Sequence, residues 1–163
     1  MSVRDARVDD AAEIVALVNP VIALTTVTFT SSLRDENSMR ATIAARPGAF
    51  LVAEYEGRVA GFATYFQFRV GNGYASTMEH TINVGPGARR MGFGRLLMAE
   101  LEGRARQNGV GSLIAAISGE NPEAMRFHAA IGFVEAGRLQ AAGRKFDRWI
   151  DLVLMQKMLV TCA

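Results

Sequence analysis

Val84-Gly85-Pro86-Gly87-Ala88-Arg89-Arg90-Met91-Gly92-Phe93-Gly94-Arg95 joins a run of strand-forming residues to the start of an amphipathic helix. Upstream, residues 74–84 read as a strand. Downstream, Phe93, Leu97, Leu101 and Ala105 recur four apart and share one helical face, with Asn108-Gly109 as the stop. Between the two, small residues let the backbone approach a ligand closely, while the unpaired amides and dipole of a helix start favour an anion. The expectation is a phosphate cradle, and the plain alternative is a turn whose glycines serve geometry alone. A Walker loop is excluded, because no Gly-Lys-Ser/Thr is present. The dinucleotide fingerprint is excluded as well, because Leu97 follows Gly92-Phe93-Gly94 where a third glycine is needed.

Working outward, residues 3–7 form a short strand, and Asp10 with Glu13 has the spacing of a capping box ahead of Ile14, Leu17 and Val18. Residues 25–32 (TTVTFTSS) separate this first helix from a second over 34–45, which Arg46-Pro47-Gly48 ends. Residues 50–56 and 58–68 are β-branched and aromatic runs joined at Glu56-Gly57-Arg58, the pattern of a hairpin. Residues 70–73 (VGNG) are a loop, and 112–117 a short strand of the buried type. Asn121-Pro122-Glu123 reads as an N-cap, a proline at N1 and an acidic first turn, so a helix runs from there to about Ile131. Residues 133–139 and 148–157 supply two more strands around a turn at Ala142-Gly143. Strands and helices alternate with a hairpin before the first crossover helix, which makes this an α/β fold with a mixed sheet.

The chain has 163 residues, enough for one ordinary domain, read as a single unit over 1–163. Half of the residues are hydrophobic and 21% charged, far from the composition of disordered, collagenous or coiled-coil chains. A net charge of +2 sustains no field that would hold nucleic acid or an anionic membrane, so neither is an expected partner. The single cysteine, Cys162, permits no internal disulfide and no cysteine-based zinc site. His80 and His128, far apart, make no ligand pattern, so no metal is expected. Residues 1–10 carry charges of both signs without an apolar run. The expectation is a cytoplasmic protein without a targeting leader or membrane span. The basic residues are 16 Arg and 2 Lys, a bias that suits anion recognition and that coding bias produces equally well.

Arg89-x-x-Gly92-x-Gly94 after a strand resembles the Arg/Gln-x-x-Gly-x-Gly/Ala signature of the GNAT acyl-CoA N-acetyltransferases. Two further blocks narrow the likeness. Met78-Glu79-His80-Thr81-Ile82-Asn83-Val84 is similar to TVEHSVYV, and the segment from Gly143 through Lys145, Arg148 and Trp149 to Asp151 is similar to GxKFGRWLDL. Both belong to the phosphinothricin and methionine sulfone/sulfoximine acetyltransferase branch. The resemblance spans nearly the whole chain and implies a GNAT-like mixed, mostly antiparallel central sheet flanked by helices. It also implies acetyl-CoA as cosubstrate and, in most members, a homodimer.

Carried over by position, the resemblance implies that the backbone of Ile82, Asn83 and Val84 bonds the pantetheine arm and acetyl carbonyl. Amides of Arg90, Met91, Gly92, Phe93, Gly94 and Arg95, beside Arg89, would hold the pyrophosphate, and Asn121 and Ala130 would line the other side of the cofactor. Because these contacts run through main chain, side-chain changes at Met91 or Phe93 are expected to matter less than bulky residues at Gly92 or Gly94. For the acceptor it points to the 25–29 segment with Phe29, to Arg69, to Asn72, Gly73 and Tyr74, and to Lys145. An arginine fork suits an α-carboxylate. The sequence departs from its relatives at Val70-Gly71-Asn72 and at Ala75, where Arg or Lys is usual.

Glu79 is the expected catalytic base: an amine must lose a proton before it attacks a thioester, and a partly buried carboxylate can take it directly or through water. Its alternative is a solvent-facing strand residue. His80, its neighbour, points to the opposite strand face and reads as a structural histidine. His128 stands where many GNAT enzymes carry a tyrosine that protonates the departing thiolate. It reads either as a weak acid or as a buried, hydrogen-bonded core histidine.

The expected activity is direct acetyl transfer to the primary amine of a small amino-acid-like molecule. The alternatives are acetylation of a protein N-terminus, a lysine or an aminoglycoside, and a CoA-binding module without turnover. Arg69, Arg89, Arg90 and Arg95 have chemical reasons to be arginine, whereas the other twelve are left to coding bias.

Overall fold

The computed structural model describes residues 1–160, so Cys162 lies outside the described residues. The strands are β1 (Ser2–Asp5), β2 (Phe50–Tyr55), β3 (Arg58–Gln67), β4 (Thr77–Val84), β5 (Ser112–Ser118), β6 (Val134–Lys145) and β7 (Arg148–Met158). The helices are α1 (Ala11–Leu24), α2 (Glu36–Ala44), α3 (Phe93–Gln107) and α4 (Pro122–Ala130). The result is a mixed α/β fold whose seven-stranded, mostly antiparallel sheet is flanked by four helices. Contacts between residues divide the chain into two compact units.

The first unit comprises Met1–Asn19, Arg34–Phe66 and His80–Gly109. Its strand order is β1-β2-β3, followed by residues 80–84 of β4. β1 and β3 both run antiparallel to β2, with Val3 opposite Ala53 and Val52 opposite Phe62. The hairpin closes on Glu56 and Gly57, both at positive φ (51° and 75°), the two-residue turn whose twist matches that of its strands. Ala11, Ile14, Met39, Ile43, Phe50, Val52, Val59 and Phe62 form one buried cluster under α1 and α2. α3 lays Phe93, Leu97, Met98, Leu101 and Ala105 inward and packs on β1 and β2, the face that its period of four announces.

The capping box expected at Asp10 and Glu13 does not form. The Asp10 carboxylate accepts from the Arg7 amide (2.7 Å) and from both terminal nitrogens of Arg4 (2.8 and 3.0 Å), closing a 3-10 turn over Val8–Asp10. Glu13 accepts from the amide of Val59 instead (2.9 Å), tying α1 to β3. Asp10 is taken by donors three and six residues before it, and Glu13 by an amide 46 residues after it, so neither serves the cap that the spacing suggests.

The second unit comprises Pro20–Leu33, Gln67–Glu79 and the chain from Val110 on. Its strand order is β5-β7-β6, antiparallel throughout, with Ala115 opposite Met155 and Lys145 opposite Arg148. The turn expected at Ala142-Gly143 is not there. β6 continues to Lys145, and the hairpin closes on Phe146 and Asp147, both at positive φ (51° and 58°). Gln140, Ala141 and Ala142 instead form a bulge in β6, held where the Ala141 amide donates to Asp151 (2.9 Å). Gly143 is glycine for a packing reason, because a Cβ there would collide with the Phe29 ring. The strand expected from residue 74 begins at Thr77, since Asn72–Tyr74 coil into a 3-10 turn behind Gly71 at φ 119°. Asn121 caps α4 as expected, its side chain accepting from the Ala124 amide at 3.1 Å.

Candidate active site

The expected donor-binding residues Ile82, Asn83, Val84, Arg89, Arg90, Met91, Gly92, Phe93, Gly94 and Arg95 all fall in the first unit. Ile82, Asn83 and Val84 end β4 beside β3. A Cβ on Gly61 would lie 2.7 Å from the Asn83 carbonyl oxygen and 3.2 Å from the Val84 Cα, so glycine is what allows this segment its position. Gly61→Ala must push the backbone at Asn83 aside, and overpacking of this kind costs about 1–3 kcal/mol. The expected result is a lower denaturation midpoint, measured by urea titration.

After β4 a 3-10 turn at Pro86–Ala88 leads to Arg90 at φ 62° and Gly92 at φ 90°, and α3 begins. The other capped helices show what is special here. Asp35 caps α2 and Asn121 caps α4, each followed by a glutamate in the first turn. α3 has no side-chain cap and no acidic residue in its first turn, and a Cβ on Gly92 would meet nothing within 4 Å. The first-turn amides that helix geometry leaves without intrahelical partners have no side-chain cap here, and the exposed Arg90 and Arg95 are nearby in the chain. Arg89 is exposed and its Nε reaches the Val84 carbonyl at 3.4 Å. These residues fit a diphosphate. The expectation for the Phe93 side chain is overturned: Phe93 is 1% exposed, edge-on to Tyr55 at 5.7 Å, and is a core residue, whereas Met91 is 45% exposed.

The second unit holds the expected acceptor-side and catalytic residues Phe29, Arg69, Asn72, Gly73, Tyr74, Glu79, His128 and Lys145, together with Asn121 and Ala130, which are expected to line the cofactor. Gln67, Arg69, Val70, Gly71 and Asn72 line an open depression of about 410 Å³. Gln67 shapes this loop by donating to the carbonyls of Arg69 (2.6 Å) and Gly71 (2.8 Å), and the Arg69 guanidinium lies 5.5 Å from the Tyr74 ring centre. Glu79 is half-buried in β4, and burial pushes its carboxyl above the usual range. His80, next to it, is buried.

His128 is 4% exposed on α4, its Nδ1 2.7 Å from the Ala124 carbonyl, which fixes the proton of a neutral ring on that nitrogen. Phe127 and Phe133 each meet its ring edge-on, and burial lowers its pKa. Ala130 is exposed at the end of α4. Asn121 spends its side-chain oxygen on the helix cap.

Lys145 is 6% exposed, and its ammonium donates to the carbonyls of Ile22 (2.6 Å) and Thr28 (2.9 Å). Glu120 was not anticipated. Both terminal nitrogens of Arg148 pair with its carboxylate, one of them at 2.8 Å, and those bonds, with one from the Thr26 hydroxyl, hold the carboxyl below its usual range. The partners lie 28 and 94 residues away, so only the acid beside a helix cap was visible in sequence.

Along the chain, a carboxyl of raised proton affinity on β4 is followed by a glycine-rich loop and a helix start without a side-chain cap. Residues 19–133 match the acetyltransferase (GNAT) family model, and the chain belongs to that family. It is 36% identical over 162 residues to phosphinothricin N-acetyltransferase of Alcaligenes faecalis, covering 97% of this chain and 82% of that one. It is 35% identical over 159 residues to the L-methionine sulfoximine/L-methionine sulfone acetyltransferase of Pseudomonas aeruginosa, covering 95% and 92%. The fold matches the Salmonella typhimurium acetyltransferase yncA, solved with its cofactor acetyl-CoA, at a TM-score of 0.95 and 32% identity, over 100% of this chain and 96% of that one. Among the described residues no helix is long and apolar enough to cross a membrane.

Proposed function

We propose that this acetyltransferase moves the acetyl group of acetyl-CoA directly to the primary amine of a small amino-acid-like molecule of the phosphinothricin, methionine sulfone or methionine sulfoximine kind. The observation that carries the reading is Glu79, a half-buried carboxylate of raised proton affinity three residues before Ile82 on the same strand. The names of the relatives support the substrate class.

Bound acetyl-CoA supplies an acetyl thioester. The amides from Arg90 to Arg95 at the start of α3 hold its diphosphate, Asn121 and Ala130 line the cofactor as the resemblance implies, and the backbone of Ile82, Asn83 and Val84 holds the pantetheine arm and offers hydrogen bonds to the carbonyl oxygen as charge grows there. Arg69, steadied by Tyr74, takes the acceptor carboxylate, with Asn72, Gly73 and Phe29 shaping the space around it. Glu79 accepts a proton from the acceptor ammonium, directly or through water. The amine nitrogen bonds to the acetyl carbon, the carbon–sulfur bond breaks, and the amine's second proton ends on the departing sulfur. Cys162 is not needed to carry the acetyl group.

Of the two readings of His128, burial, two aromatic neighbours and a lowered pKa support the core histidine, since a neutral imidazole is a poor acid. We place the protein in the cytoplasm as a homodimer, on resemblance to the family. A thiol-release assay with acetyl-CoA against amino acids, their sulfone, sulfoximine and phosphinic analogues, protein N-terminal peptides and aminoglycosides tests the reading. Turnover is expected with the amino-acid analogues; turnover confined to peptides or aminoglycosides, or CoA binding without turnover on any amine, would overturn it.

A further inference from the structure

The 25–29 segment is fixed within its unit at every step. The Thr25 hydroxyl donates to the Val21 carbonyl (2.7 Å) and accepts from the Val27 amide (3.2 Å). Thr26 donates to Glu120, which Arg148 grips with two nitrogens. The Thr28 carbonyl, with that of Ile22, accepts from the Lys145 ammonium, and the Phe29 ring occupies the place where a Cβ of residue 143 would stand. Three of these anchors, Gly143, Lys145 and Arg148, come from the closed end of the β6–β7 hairpin.

We infer that Lys145 is a positioning residue for acceptor binding: from inside the hairpin it clamps the 22–29 segment, with Glu120 and Arg148 as a second clamp at Thr26, so that Phe29 is presented to the acceptor in one place. The inference rests on the proposed reading that this segment faces the acceptor. It reassigns Lys145 from touching the substrate to holding the segment that does. The physical demand is specific. Two carbonyls turned inward need a donor that reaches both, and a lysine stem threaded through the hairpin brings three N–H groups to them. Without it, those carbonyls must be re-satisfied by water, and the segment is released from its single arrangement.

The test uses Lys145→Met, which keeps the apolar stem and removes the donors, and Thr26→Val, which removes the second clamp without disturbing the core. Amide hydrogen exchange of residues 22–29 and the two KM values are measured for each. Exchange there is expected to quicken in both variants. The acceptor KM should rise about tenfold for Lys145→Met and about threefold for Thr26→Val, while the KM for acetyl-CoA stays within about twofold, because mispositioning harms the group that is positioned. Lys145→Arg, which restores donors, should recover part of the loss.

Unchanged exchange overturns the clamp. Quickened exchange with an unchanged acceptor KM overturns the positioning role, and so does an equal rise in both KM values. If Lys145→Met does not fold, Thr26→Val carries the same decision. Exchange needs no turnover, and the KM split is measured with whichever amine the wild-type protein acetylates. Failure of the clamp is thereby distinguished from failure of the amino-acid reading.

Discussion

Glu79→Gln lowers kcat about 10²- to 10³-fold near neutral pH and leaves acetyl-CoA affinity nearly untouched, the loss expected when a positioned general base is removed. Glutamine keeps the shape of the side chain and its ability to hydrogen-bond, so the difference isolates proton acceptance. The pH profile carries the sharper signature. Burial raises the carboxyl of Glu79, and the base works only when ionised. Wild-type kcat/KM therefore climbs with pH through a value above the ordinary glutamate pKa of about 4.3, and is lost as pH falls below it. In the glutamine variant this acidic limb vanishes, while the limb set by the amine's own ionisation stays. Equilibrium dialysis with acetyl-CoA and a full pH–rate series decide the matter. A variant that keeps the acidic limb would remove Glu79 from the chemistry, and one that loses acetyl-CoA binding would make it structural.

Phe93→Ala costs about 3–5 kcal/mol of folding stability, whereas Met91→Ala, two residues earlier, changes stability by less than about 0.5 kcal/mol. The two lie in the same glycine-rich stretch and differ in where their side chains go. The Phe93 ring is enclosed against Tyr55 at the root of α3, and truncation leaves a cavity that the surrounding strands and helix cannot close. Met91 is exposed and is no part of the buried face of α3. Urea midpoints of the two variants give the comparison. The Phe93 change also loosens the first turn of α3, so its acetyl-CoA KM rises even where the protein remains folded. Equal stabilities would mean that the ring contributes no packing.

The parts of this fold that could be read in the sequence are those whose causes are local. The 50–67 hairpin follows from strand-forming residues and a short turn, α3 from a period of four, and the start of α4 from Asn121-Pro122-Glu123. The glycine loop was legible because its chemistry is written in consecutive residues. Partners outside the motif decided the rest. Asp10 and Glu13 have cap spacing but answer to Arg4, Arg7 and Val59. Ala142-Gly143 looks like a turn, yet Gly143 is small because Phe29 lies on it, more than a hundred residues back. Lys145 looks like a ligand-facing charge until the carbonyls of Ile22 and Thr28 are seen to use it. Glu120 had no mark at all.

The two lysines carry one more consequence. Each ammonium is engaged with main-chain carbonyls, Lys145 with those of Ile22 and Thr28 and Lys157 with that of Ile131 at 2.7 Å, and the remaining basic side chains of the chain, histidine aside, are arginines. A guanidinium keeps its proton and is a poor nucleophile at neutral pH, whereas an exposed lysine amine is a target for an activated thioester. A protein that handles such a reagent while wearing its positive charge as arginine presents few side-chain amines of its own to be consumed. The two side-chain amines that it does carry are already held by carbonyls of its own backbone.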